Sequence, residues 1–246
     1  MSAHIPLRLV ERRWLTPEVL HLVLVQADGL ALAFKPGQFV QLFFPDMHGI
    51  EQRRSFSLAN APAPEGEPGR WELAVSLLPE GAASRYLREL PLGSIVMGAG
   101  PFGRFGLQTN DRAPRYLLLA TGTGVAPFRG MLMPLRTRLE NGAQVELLCG
   151  ARTRSELLYA DTFLAMAQAF PGFRYRGFVS RETVDPQIPW LHSGWVQSGL
   201  PALAPSAQDL ALVCGNPAMV DACTAHLQQA DLSMRAIRRE RYIASG

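Results

Sequence analysis

Four short stretches combine residue types and spacings that can do chemistry. The first is Ala120-Thr121-Gly122-Thr123-Gly124-Val125-Ala126-Pro127-Phe128-Arg129, where an apolar run ends in a glycine-rich turn and a helix begins at once. Glycines let backbone approach a pyrophosphate, the opening N–H groups of a helix attract an anion, and Pro127 stands where a missing N–H costs little. The pattern is not the GxGxxG dinucleotide fingerprint, and a tight strand–helix turn without a ligand reads equally well. The second stretch, Cys214-Gly215-Asn216-Pro217-Ala218-Met219-Val220, repeats the order of strand, small residue and helix start. Two such ends in one parallel sheet would face a crevice at its carboxyl edge, where open α/β sheets bind ligands. Cys214 either borders that crevice or is a small buried residue.

The third stretch, Gln52-Arg53-Arg54-Ser55-Phe56-Ser57-Leu58-Ala59-Asn60, sets a cation, an aromatic ring and hydroxyls on one strand. Alternation puts Arg54 and Phe56 on one face and Ser55 and Ser57 on the other, which also describes an ordinary edge strand. The fourth, Gly81-Ala82-Ala83-Ser84, opens a helix and offers N–H groups and a hydroxyl to a phosphate, or a plain N-cap. Three cysteines, Cys149, Cys214 and Cys223, are too few and too scattered for a disulfide framework or an iron–sulfur ligand set. No His/Cys cluster has zinc spacing either, so no metal is expected. If electrons move through this protein, a bound organic cofactor carries them.

Two kinds of sequence grammar position these stretches. Short alternating runs fill the first part: 7–11, 19–25, 38–44 and 71–78, separated by Lys35-Pro36-Gly37, by the segment from Pro62 to Gly69, and by Pro91-Leu92-Gly93. They read as an antiparallel barrel interrupted by one helix from Ala82 to Leu90. After about residue 111 continuous apolar runs appear at 116–120, 145–149 and 210–214, alternating with helical stretches from Ala126 to Asn141, Ser155 to Phe170 and Pro217 to Ala230. That alternation indicates a parallel sheet covered on both faces. The expected division is therefore residues 1–110 and 111–246, linked through Asn110-Asp111-Arg112-Ala113-Pro114.

A chain of 246 residues suits two domains, and 48% hydrophobic with 18% charged residues is globular composition. Residues 1–110 hold ten basic and ten acidic side chains, so the net charge of +3 arises in the second half. Lys35 is the only lysine, and no dense basic stripe marks a nucleic-acid binder. No apolar run approaches the roughly 20 residues that span a bilayer, and the N-terminus lacks the apolar core of a signal peptide. The expectation is a cytoplasmic protein without membrane or nucleic-acid partners.

Arg54-Ser55-Phe56-Ser57, Gly81-Ala82-Ala83-Ser84, Gly100-Pro101-Phe102-Gly103, the Thr121–Arg129 turn, Cys214-Gly215-Asn216-Pro217 and Glu240-Arg241-Tyr242 occur in the order of the ferredoxin/flavodoxin–NADP(+) reductase family. The resemblance covers nearly the whole chain. It is closest to the compact bacterial reductases, which share the stretch found here as Val179-Ser180-Arg181-Glu182. It implies a six-stranded antiparallel flavin-binding β-barrel followed by a parallel-sheet α/β nucleotide-binding domain, FAD as cofactor and NADP(H) as substrate. By the same resemblance, Arg54 neutralises the FAD pyrophosphate, with Ser55 beside it in the motif, Phe56 packs on the flavin, and Ser57 lies near flavin N5. Gly81 and Ser84 contact flavin phosphates, and the NADPH pyrophosphate lies over Thr121, Gly122, Thr123, Gly124 and on to Ala126. Cys214 borders the nicotinamide, Glu240 lies beside the reacting centre, and Tyr242 stacks on the flavin face that the nicotinamide needs. Such residues fit hydride transfer, which asks for two flat rings in close contact more than for a strong acid or base.

Three positions depart from the family pattern. Phe56 stands where tyrosine is usual, which keeps the stacking and drops a hydroxyl contact. Ile243-Ala244-Ser245-Gly246 follow Tyr242, where close relatives end in an aromatic pair. Gln187 replaces a basic residue that some relatives place near the 2′-phosphate, leaving Arg181 and Arg152 for that anion. The resemblance implies a monomeric enzyme passing electrons between NADPH and a ferredoxin or flavodoxin. The alternative is the NAD(P)H-dependent reductase component of an oxygenase system, many of which carry a fused ferredoxin domain that this sequence lacks. A flavin-binding sensor without turnover is disfavoured, because it has no need of Ser57, Cys214 and Glu240 together.

Overall fold

The computed structural model describes residues 4–30, 32–64 and 69–242. The chain forms two compact units, one of the described residues up to Arg104 together with Ala126–Met131, the other of Phe105–Val125 and the described residues from Leu132 onward. The tail Ile243–Gly246 and part of the turn from Pro62 to Gly69 lie outside the described residues.

The first unit is built on β1 (Ile5–Thr16), β2 (Val19–Gln26), β3 (Phe39–Pro45), β4 (Glu51–Ser57), β5 (Arg70–Ser76) and β6 (Ile95–Phe102), with the helix α1 (Ala82–Glu89) between β5 and β6. The strands form one antiparallel sheet in the order β4-β3-β6-β1-β2-β5. Its two edge strands meet through an antiparallel bridge between Leu58 and Leu73, which closes the sheet on itself. Strand alternation explains the core: Leu20, Leu22 and Leu24 of β2, Val40 and Leu42 of β3, and Trp71, Leu73 and Val75 of β5 turn inward. α1 packs against β3 and β4, with Tyr86 stacked on Phe44 at 5.7 Å between ring centroids.

The second unit is a parallel sheet of β7 (Arg115–Thr121), β8 (Gln144–Ala151), β9 (Phe173–Val179), β10 (Leu191–Ser193), β11 (Leu210–Gly215) and β12 (Ile237–Arg241), ordered β10-β9-β8-β7-β11-β12. On one face, α6 (Pro217–Gln229) and the short helix α5 (Leu200–Leu203) cover Leu117, Leu119, Leu148 and Val213. On the other, α4 (Ala160–Ala169) sets Phe163 against Tyr175 at 5.6 Å, and α3 (Leu132–Glu140) packs on β8. The chain runs outward from β7 through β8, β9 and β10, then returns to place β11 on the other side of β7. The strand order therefore reverses at the carboxyl ends of β7 and β11, the switch point where such sheets bind ligands.

Two helices differ from the sequence expectation. The stretch from Ala126 to Asn141 is split into α2 (Ala126–Gly130) and α3, with Met131 between them. Gly130 favours a break, and Pro134 cannot donate the hydrogen bond that would join the two turns. The stretch from Ser155 to Phe170 begins as a 3-10 turn at Arg154–Glu156 and becomes α-helical only from Ala160, after Tyr159 at φ 58°.

Candidate functional site

In the barrel unit, β4 pairs Arg54 with Leu42 and Phe56 with Val40. Directly opposed residues share a face, so Arg54 and Phe56 lie on the side of β3 that carries its buried residues. Phe56 is half-buried and packs against the barrel core. Ser55 is exposed on the other side, and Ser57, at the strand end, is buried. α1 lies against the same two strands. Its first intrahelical bond is from the Arg85 N–H to the Gly81 carbonyl, so the N–H groups of Ala82, Ala83 and Ser84 precede the ladder. The first turn carries no acidic side chain to compete with an anion. The Ser84 hydroxyl is turned inward and accepts a 2.7 Å bond from the Leu78 N–H, so α1 offers backbone N–H groups rather than that oxygen's lone pairs. A strand arginine, an aromatic ring and free amides at one end of the barrel fit a flavin with an anionic pyrophosphate.

In the parallel-sheet unit the switch point is knitted tightly. Gly122–Val125 form a 3-10 turn directly after β7. A Cβ on Gly124 would run into the Cys214 carbonyl, and one on Gly215 would stand 2.5 Å from Thr121 Oγ1. These two glycines are thus demanded by the approach of two strand ends. Gly122 differs: it has φ 54°, is exposed, and has open space where a Cβ would go. Thr121 Oγ1 accepts from the Asn216 N–H at 3.0 Å, and Asn216 Oδ1 caps α6 by accepting from Ala218 N–H at 2.9 Å. The exposed turn therefore sits on a rigid base.

Cys214 stands opposite Glu240 in the β11–β12 register, and the Tyr242 N–H continues the ladder with a 2.8 Å bond to the Gly215 carbonyl. Burial pushes the Cys214 thiol well above its ordinary pKa, the charge of Glu240 adds to this, and a hydrogen bond with Tyr242 opposes it. Cys214, Glu240 and Tyr242 thus meet beside the Thr121–Gly124 turn, whereas Ser57 belongs to the barrel unit. Cys214 is a neutral, small, polarisable wall at neutral pH and not a thiolate nucleophile.

Arg152 and Arg181 are joined at the ends of β8 and β9, the Arg181 N–H donating to the Arg152 carbonyl at 2.8 Å. Arg152 is engaged by Glu156, Nε to Oε2 at 3.1 Å. Among the described residues the exposed guanidinium of Arg181 has no hydrogen-bond partner. Sequence reasoning passed over Arg154, whose guanidinium lies 5.4 Å from the centroid of Trp190 and whose N–H donates to Glu182. Its place two residues after Arg152 was the available signal.

It also passed over a buried charge cluster in the barrel unit. Glu72 receives Arg129 at 2.7 Å and His21 at 3.4 Å on one oxygen, and Arg70 at 2.9 Å on the other. Burial raises the Glu72 pKa, but hydrogen bonds from His21 and Arg129 and the charges of Arg129 and Arg70 outweigh it and leave it at about 2. Arg129 stands 57 positions along the chain from Glu72, a pairing that no local pattern announces. Among the described residues no group of three or more His, Cys, Asp or Glu side chains is placed to hold a metal ion, and no helix is long and apolar enough to cross a membrane.

Comparison with known proteins agrees with this fold. Residues 6–106 match the oxidoreductase FAD-binding domain, and residues 118–225 the oxidoreductase NAD-binding domain. A ferredoxin–NADP reductase B from Sorangium cellulosum is 39% identical over 214 residues, 86% of this chain and 82% of that protein. A phenol 2-monooxygenase reductase component from a Pseudomonas species is 32% identical over 86% of this chain, which spans only 58% of that protein's length. The crystal structure of a ferredoxin NADP+ reductase from Neisseria gonorrhoeae superposes with a TM-score of 0.82 over 98% of this chain and 99% of the other, at 20% identity, a likeness of fold. A closed antiparallel flavin barrel joined to a parallel dinucleotide sheet defines an FAD- and NAD(P)H-dependent oxidoreductase. The chain belongs to the ferredoxin–NADP(+) reductase family.

Proposed function

We propose that this chain moves electrons between NADPH and a ferredoxin or flavodoxin. The observation that carries the reading is the convergence of Cys214, Glu240 and Tyr242 beside the exposed Gly122 turn at the switch point of the parallel sheet. Bound FAD supplies the exchange between a two-electron hydride donor and a one-electron carrier. Arg54 and the amides of Ala82–Ser84 hold its pyrophosphate, Phe56 packs beside the ring system, and Ser57 serves the flavin edge.

The Thr121–Gly124 turn receives the coenzyme pyrophosphate on backbone amides, and Arg181, assisted by Arg152, takes the 2′-phosphate. Cys214 borders the nicotinamide without filling its place. Glu240 orients it or passes a proton, and the Tyr242 ring stands where the nicotinamide must enter. The similarity to a ferredoxin–NADP reductase over 82% of that relative's length supports this acceptor class. The 32% identity to an oxygenase reductase component supports a second reading, in which the acceptor belongs to an oxygenase system. Under either reading we propose a cytoplasmic monomer.

Steady-state reduction of candidate ferredoxins and flavodoxins from the same organism, run with NADPH and NADH side by side, tests the proposal. Preference for NADPH with turnover of a free carrier supports it. Preference for NADH, with turnover only through an oxygenase component, replaces it with the second reading.

A further inference from the structure

The barrel closes through three residues that follow Ser57. Leu58 bridges Leu73, the Ala59 N–H donates to the Glu72 carbonyl at 2.7 Å, and Asn60 Oδ1 accepts from the Glu72 N–H at 2.9 Å. Asn60 also donates to the carbonyls of Ala61 and Arg70. α2, grouped in the same compact unit, lies against this seam so closely that a Cβ on Gly130 would come within 2.8 Å of the Asn60 carbonyl oxygen. Arg129 fastens the contact from both sides: one nitrogen donates to the Ala59 carbonyl at 2.8 Å and to the Glu72 carboxylate at 2.7 Å. A single guanidinium thus grips both strands of the seam two residues beyond Ser57.

We infer that Arg129 is a positioning residue for flavin reduction, holding the Ser57–Asn60 segment in its working geometry through the Ala59 carbonyl and Glu72. The inference rests on the proposed placement of Ser57 at the flavin edge. The reason for a kinetic rather than a binding role is the division of labour within the fold. The flavin phosphates are assigned to Arg54 and α1, whereas Arg129 bonds Ala59 and Glu72, and the coenzyme turn keeps its own bond from Asn216 to Thr121 Oγ1. Loosening the seam shifts the hydroxyl at the flavin edge while both anchors stay. Hydride transfer is sensitive to such shifts, a misplacement of about 1 Å costing on the order of 100-fold.

The test is Arg129→Met, which keeps the apolar stem and removes the grip, with Arg129→Lys as the conservative partner. In anaerobic rapid mixing with NADPH, the FAD-loaded Arg129→Met protein should show a limiting reduction rate at least 10-fold lower, with an apparent coenzyme dissociation constant within 3-fold of wild type. Arg129→Lys should recover a measurable part of the rate. Hydrogen–deuterium exchange across residues 57–61 should quicken in Arg129→Met, independently of turnover. Should that variant fail to retain FAD, the Glu72→Gln/Arg129→Met double variant, which removes both charges together, is held to the same criteria. An unchanged limiting rate in an FAD-loaded variant, or a loss confined to coenzyme affinity, overturns the inference. A wild-type protein that no nicotinamide nucleotide reduces overturns the functional reading instead, while exchange at 57–61 still reports on the clamp.

Discussion

Cys214 and Glu240 stand directly opposite one another on adjacent parallel strands, at the carboxyl end of the sheet. The pairing sets a neutral thiol and a carboxylate side by side at the switch point, and the proposed function gives the nicotinamide ring the first to lie against and the second to orient it. Cys214→Ser and Glu240→Gln should each slow flavin reduction by about 10-fold, equal to about 1.4 kcal/mol of barrier. Melting should move by no more than about 4 °C, the shift expected of a change near 1 kcal/mol in a chain of this size. Rapid-mixing kinetics beside thermal unfolding checks both parts. A core-filling role for Cys214 predicts the reverse: lowered melting with unchanged reduction.

The thiols themselves give a second prediction. Cys149, Cys214 and Cys223 are all free and buried. Burial pushes Cys223 up to about 12 and Cys149 and Cys214 upward as well. Reaction needs thiolate and access, and the native protein offers neither. A disulfide reagent at pH 8 should register no fast-reacting thiol in the native enzyme, and three after denaturation. Rapid labelling of Cys214 in the native state would mean that its strand end opens to solvent.

The proposed function makes cofactor retention depend on Arg54. Its cation is assigned the FAD pyrophosphate, a charge-assisted contact worth about 1.5–3 kcal/mol. Arg54→Ala should therefore weaken FAD binding by roughly 10- to 100-fold, measured by flavin fluorescence on dilution. The flavin released from the wild type should be FAD, not FMN. Full occupancy in the variant would remove Arg54 from the site.

The proposed function makes coenzyme choice depend on Arg181. Its guanidinium is exposed and without a hydrogen-bond partner among the described residues, whereas Arg152 is already engaged by Glu156. Arg181→Ala should lower apparent NADPH affinity by about 10- to 100-fold and leave NADH kinetics nearly unchanged. Equal losses with both coenzymes would make Arg181 a structural residue.

What the sequence disclosed depended on the range of the interaction. Five of the barrel strands and the buried strands β7, β8 and β11 announce themselves because alternation and apolar runs are local consequences of burial, whereas β6, with two glycines and a proline in Ile95–Phe102, shows no such pattern. β9, β10 and β12 escaped separate notice, since Phe173–Val179 alternates charged and apolar residues, Leu191–Ser193 is too short for a pattern, and Ile237–Arg241 is mostly charged. The helix break at Met131 was signalled locally by Gly130 and Pro134, but the fit of Gly130 against the Asn60 carbonyl is a tertiary contact with no such sign. The same holds for the site. Cys214, Glu240 and Tyr242 were named from motifs, but that they meet beside Thr121 follows from register across two strands. The inward turn of the Ser84 hydroxyl toward Leu78 and the grip of Arg129 on Glu72 have no local signature at all.

The last prediction concerns acid. Both oxygens of the Glu72 carboxylate are paired, one with Arg70, the other with Arg129 and His21. Burial by itself would raise its pKa. The hydrogen bonds from His21 and Arg129 and the two arginine charges prevail, holding it at about 2 against an ordinary 4.5. Between these values the unfolded chain carries a proton at Glu72 that the folded chain does not, so stability rises with pH across the interval. The contribution is therefore fully present above about pH 5 and is lost as pH falls from there toward 2. Its size, from the difference between the two values, is roughly 3 kcal/mol. Glu72→Gln has no charge to titrate, so it lowers stability at neutral pH but lacks this part of the acid dependence. Urea unfolding of the two proteins at pH 7, 5, 4 and 3 makes the comparison, and losses common to both cancel in the difference. The gap in unfolding free energy should be largest at pH 7, hold at pH 5, and shrink by roughly 2 kcal/mol by pH 3. A gap that stays constant down to pH 3 would show that the paired carboxylate is not what acid removes, and the seam at Ala59 and Asn60 would then owe its acid response to groups other than Glu72.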